Sequence, residues 1–127
     1  MPRERYSQYR DRAMGLAGTM ERSAGVGDLP GAVLAAVHAS IAAGDAVTIY
    51  FSGVRSRGED HREIVALVRR VPAKGAETHA RQLAAILDRK AIADYGPSLG
   101  SESTANHLLQ QARRWIAWAR EVLPPER

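Results

Sequence analysis

The sequence predicts an all-α fold, an antiparallel bundle of about five helices with a buried central second helix, and three observations predict it. The stretch LPGAVLAAVHASIAAGDAVTIYF, from Leu29 to Phe51, is apolar or small on nearly every side, and a helix without a polar face belongs inside a protein. The segments around it carry apolar residues at three- and four-residue steps, the repeat of a helix with one covered side. No segment alternates as a strand does, and the breaks between helical segments are short. With 127 residues and no internal repeat, the chain is expected to form one domain over residues 1–127.

Each element has its own signals. A first helix is expected from Arg3 to Ala24, with Tyr6, Tyr9, Ala13, Ala17 and Met20 as its stripe; Gly15 and Gly18 weaken it and suggest close helix packing there. Asp28 is placed to cap the second helix, with Pro30 in its first turn and Gly53 at its end. A third helix runs from about Asp60 to Val71, with Ile64, Val65, Leu67 and Val68 inward, and Pro72 closes it. The fourth is expected from Ala76 to Tyr95, stopped by Gly96 and Pro97. Ser101 caps a fifth, ending near Leu123, whose inner face holds Ala105, Leu108, Leu109, Ala112, Trp115, Ile116 and Ala119.

Composition narrows the function classes. The chain has no cysteine, which rules out disulfides and thiolate metal sites and fits a reducing, cytoplasmic location. The long apolar stretch contains His38 and Asp45, so it reads as a core helix rather than a membrane span, and no membrane association is expected. The N-terminus is charged from its third residue and does not resemble a secretory signal. The net charge of +4 leans toward an anionic partner. Between Arg55 and Lys74 six basic residues face three acidic ones, and Arg113, Arg114 and Arg120 form a second group.

Among chemistry-bearing residues, His38, His61, His79 and His107 fall on four different helices without ligand spacing, so no metal site is expected. No phosphate loop or nucleophile elbow is present, and no cofactor is expected. Asp45 is the most demanding residue: a carboxylate in so apolar a helix needs a cation or strong donors. His38, seven residues earlier, returns to nearly the same face and is expected to be a hydrogen-bonded core histidine.

The segments HASIAAGDAVTIYFSG, GEDHREIVALV and LDRKAIADYGP, followed by a long tryptophan-bearing helix, together resemble the HEPN superfamily of small helical nucleotide-binding bundles. The similarity spans roughly residues 28–123. It implies a helical, frequently homodimeric domain, of a family in which many members are metal-independent ribonucleases of toxin-antitoxin and defence systems. Active members carry an Arg and, after about four residues, a His, often followed by Tyr; here those positions are Arg89, Asp94 and Tyr95, so the imidazole is missing. An ionised aspartate repels the scissile phosphate and donates no proton at neutral pH.

The resemblance therefore implies a non-catalytic domain whose polar cleft, lined by Asp45, His61, Arg89, Asp94 and Tyr95, binds RNA, a nucleotide or a partner protein from a neighbouring gene. Asp45 and Arg89 are expected to pair inside it. The alternative is an endoribonuclease in which His61 replaces the missing imidazole beside Arg89. A third reading makes Trp115, Trp118 and the Arg113 face a partner interface.

Overall fold

The computed structural model describes residues 2–57, 61–88 and 102–126. A single 3-10 turn, Arg3–Arg5, leads into α1 (Tyr6–Gly25); α2 (Leu29–Ser52), α3 (His61–Arg69), α4 (Ala76–Ile86) and α5 (Glu102–Val122) follow, and no strand occurs among the described residues. α2 touches all four other helices, α1 most extensively and α5 next. The arrangement is an all-α bundle around its second helix. Tyr6, at the start of α1, meets Tyr50, at the end of α2, with ring centres 5.0 Å apart, so the two helices run antiparallel.

α2 forms and stops where its local chemistry says it should. The Asp28 carboxylate accepts a hydrogen bond from the Gly31 N–H at 3.0 Å, Pro30 occupies the first turn, and Gly53 ends the helix with φ of 67°, a conformation easy only for glycine. Fourteen of its 24 residues are buried. It is long and apolar enough to cross a membrane, but other helices cover most of it. Its alanines let neighbours approach closely, and the Trp115 indole N–H donates to the Ser40 carbonyl at 3.1 Å, locking α5 onto the middle of α2.

The close helix contact lies at Gly44, not at Gly15 or Gly18. A methyl group at Gly44 would fall 2.6 Å from Ile64 Cδ1, whereas at Gly15 it would meet nothing and at Gly18 only the Arg22 guanidinium. Glycine in the first helix therefore reflects no packing demand; glycine in the second is what lets α3 cross. Elsewhere α5 is anchored by Trp118, whose indole N–H donates to the Lys74 carbonyl at 2.9 Å and whose ring stacks on His79 at 4.7 Å and 8°. His79 Nδ1 lies 2.8 Å from the Gly75 carbonyl, which places the proton on that nitrogen.

Three expectations change. His38 is exposed rather than a core histidine. It shares a stripe with Leu34, 62% exposed, and with Asp45, 3% exposed; at the Asp45 end the chain after α2 returns and places Arg55 on the carboxylate. Trp115 and Trp118 are both buried, and Arg113 is held by Glu21 through three hydrogen bonds of 2.7, 2.8 and 3.2 Å, so the tryptophans offer no partner surface. α4 ends at Ile86, with Leu87 and Asp88 already outside it, well before Tyr95. Leu87 turns into the core at 4% exposure.

Candidate functional site

α3 is strongly two-sided. Ile64, Val65 and Val68 are buried, which leaves His61, Arg62 and Arg69 along the border facing α4. On α4 the facing residues are Ala84 and Ala85, too small to fill the gap. The result is a groove of about 620 Å³ between α3 and α4, floored by Val65, Ala66 and Leu87 and edged by His61, Arg62, Arg69 and Asp88. An apolar floor with a few charged groups at its rim is the usual make-up of a ligand site.

The charges at that rim are not equally engaged. Arg69 Nε is 3.0 Å from a carboxylate oxygen of Glu77, whose other oxygen lies 3.3 Å from Arg81 Nε, so one acid is shared by two exposed arginines. His61 Nδ1 is buried and has no hydrogen-bond partner among the described residues. A buried ring nitrogen without a partner costs stability, and it stands at the edge of the groove. Of the two expected cleft residues that are described, Asp45 and His61, the structure brings His61 to this groove. Arg89, Asp94 and Tyr95 lie outside the described residues.

Asp45 is buried, as the apolar character of α2 requires, and its cation among the described residues is Arg55. Arg55 Nε donates to Asp45 Oδ2 at 3.3 Å; Oδ1 is buried without a partner among the described residues. Burial pushes the carboxyl above its ordinary range, against the opposing pull of Arg55, Arg12 and Ser56, in that order. Ser56 is buried beside the carboxylate but makes no hydrogen bond of good geometry with it. The loop carrying Arg55 is itself tied down, because the Arg57 N–H donates to Glu63 in the first turn of α3 at 2.8 Å.

Tyr9, Arg12 and Arg55 went unrecognised as site residues in the sequence. The guanidinium carbons of Arg12 and Arg55 lie 5.1 and 4.9 Å from the centre of the Tyr9 ring. One signal was available: Arg55 sits in a basic loop just beyond the C-terminal glycine of α2, and such a loop turns back over the helix end, where Asp45 lies two turns away. Nothing in the periodicity of α1 singled out Arg12.

No group of three His, Asp or Glu side chains able to hold a metal ion occurs among the described residues. Comparison with family models, curated proteins and solved structures returns no match.

Proposed function

We propose that this chain is a non-catalytic HEPN-like domain that binds RNA in the groove between α3 and α4, working as a homodimer in the cytoplasm. The observation that carries the reading is the groove itself: its rim joins His61, the residue the resemblance assigns to the start of the third helix, to Asp88, which directly precedes Arg89 in the chain. Arg62 and Arg69 supply positive charge for phosphates, and the apolar floor accepts the face of a base. The break in the Arg89–Asp94 motif supports binding without cleavage, since a carboxylate at that position repels the scissile phosphate.

The test is fluorescence anisotropy with a short single-stranded RNA at 50 and 200 mM salt. Binding is expected to weaken with salt. The double substitution Arg62→Gln, Arg69→Gln is expected to weaken it further and to flatten the salt dependence, by about 0.7 in log-log slope per phosphate no longer neutralised. RNA affinity equal to the parent's in that variant sinks the proposal.

A second reading is favoured by the ring nitrogen of His61 that has no partner among the described residues: a metal-independent endoribonuclease using Arg89 and His61. It requires RNA cleavage in the presence of EDTA that is abolished by either Arg89→Ala or His61→Ala.

A further inference from the structure

We propose that Arg12 and Arg55, both held against the Tyr9 ring, form a phosphate-binding site separate from the groove, and that an RNA strand bound in the groove also places its backbone there. The inference rests on the RNA-binding reading for the identity of the ligand, though not for the existence of the site.

Both guanidiniums keep donors in reserve. Arg12 is exposed and meets the Tyr9 ring, but it makes no hydrogen bond or ion pair among the described residues. Arg55, with its side chain 42% exposed, gives its Nε to Asp45 and leaves both terminal amines without an acceptor among the described residues. A guanidinium carries five N–H donors, so two nearly complete sets of donors converge on one phenol ring. Each carbon is about 5 Å from the same ring centre, so the two are at most about 10 Å apart.

Charge points the same way. Two cations are held together against one carboxylate, and that carboxylate is buried, so it offers no face to a ligand arriving from solvent. Like charges at such a separation repel unless an anion joins them. The ring contacts hold both guanidiniums beside the same phenol ring, which reduces the freedom each side chain loses when an anion binds. Planar forks of this kind match phosphate oxygens, which accept two parallel N–H bonds from each arginine. A lone carboxylate would be satisfied by one fork; the pair calls for a group with more acceptors.

A phosphate oxyanion reaches this site either as inorganic phosphate or as the phosphodiester of RNA, and two arms separate the sources. The first follows line broadening of inorganic phosphate by phosphorus NMR; the second follows anisotropy of the labelled RNA. Arg12→Gln is the primary variant, because Arg12 supports no other side chain by hydrogen bonding among the described residues. Asp45→Asn combined with Arg55→Gln serves as the second, since it removes the buried charge together with its partner. Arg114→Gln, on the exposed side of α5, is the control.

RNA affinity falling about tenfold in both test variants, with the salt slope reduced by about 0.7, and staying within twofold of the parent in the control, supports the inference in full. Phosphate binding abolished in both variants while RNA fails to bind the parent supports the site and overturns the RNA reading of the chain. RNA binding sensitive to Arg62 and Arg69 but indifferent to Arg12 overturns this inference and leaves the groove. Neither ligand binding the parent overturns both.

Discussion

Replacing Asp45 by asparagine is expected to raise stability at neutral pH, although it removes an ion pair. The attraction between Asp45 and Arg55 acts across 3.3 Å, but the Arg55 side chain is 42% exposed, so water screens it toward about 1 kcal/mol rather than the roughly 4 kcal/mol of a shielded pair. Against it stands the cost of holding a carboxylate out of water, several kcal/mol, with Oδ1 unpaired among the described residues. The raised pKa of Asp45 has that balance as its cause. Asparagine keeps the shape, accepts from Arg55 and sheds the charge; the expected gain is about 1 kcal/mol, or roughly 3–5 °C in Tm for a domain of this size. Alanine, which leaves a cavity and an unpaired Arg55, is expected to lose stability instead.

The pH dependence supplies the check. A carboxyl whose folded pKa lies above its unfolded value binds its proton more tightly in the native state, so its contribution to stability falls as pH rises from about 4 to the raised value. Thermal melts of parent and Asp45→Asn, followed by circular dichroism between pH 7 and pH 4, should show the variant ahead at pH 7 and the gap closing as the medium is acidified. An asparagine variant that melts below the parent by the same margin at every pH would refute the reasoning and make the buried pair a net stabiliser.

Other outcomes follow from the packing. Gly15→Ala, on an exposed position where a methyl meets nothing, should stabilise by about 0.5–1 kcal/mol in urea unfolding. Gly44→Ala should do the opposite: overpacking against Ile64 costs about 1–3 kcal/mol, more than the helix preference of alanine returns, and adding Ile64→Val should relieve part of it. Glu21→Gln should cost under about 1 kcal/mol at pH 7, since the pair with Arg113 is half exposed. Arg113 holds the Glu21 carboxyl below its ordinary range, so that contribution is present at neutral pH and disappears as pH falls through the lowered value.

What the sequence made legible is what local chemistry decides. The cap at Asp28, the proline after it, the stop at Gly53 and the burial of α2 all follow from residue types at fixed offsets. The azimuth of α2 was not legible, because a helix apolar all round has no polar face to orient it; His38 and Asp45 share a stripe yet one is open and the other covered. The end of α4 was hidden for a related reason: ILDRK contains neither Gly nor Pro, and the helix stops where Leu87 turns inward. Arg55 as a cation for Asp45 was not legible, because apolar periodicity says nothing about which of many arginines a folded loop delivers; the expected partner Arg89 lies outside the described residues. In the groove, only His61 was foreseen; Arg62 and Arg69 resembled an ordinary solvated helix face.

Binding and cleavage demand different things of these residues, and the difference gives a last prediction. Cleaving RNA requires a proton taken, a proton given and a cation that tightens on the phosphorane more than on the bound phosphate. Among the described residues the groove offers one imidazole, whose Nδ1 is buried, leaving a single ring nitrogen for substrate. Arg62 and Arg69 would, on the proposed reading, attract phosphate equally in ground and transition states, which strengthens binding without speeding reaction. On the proposed reading, the missing component is an imidazole at position 94, five residues beyond Arg89. Asp94→His is therefore expected to gain RNA cleavage in EDTA, with a pH optimum near neutrality, and to lose it again on adding Arg89→Ala. A variant that still binds RNA and leaves it intact would show that an imidazole at position 94 does not by itself complete a cleaving site, and would refute this prediction.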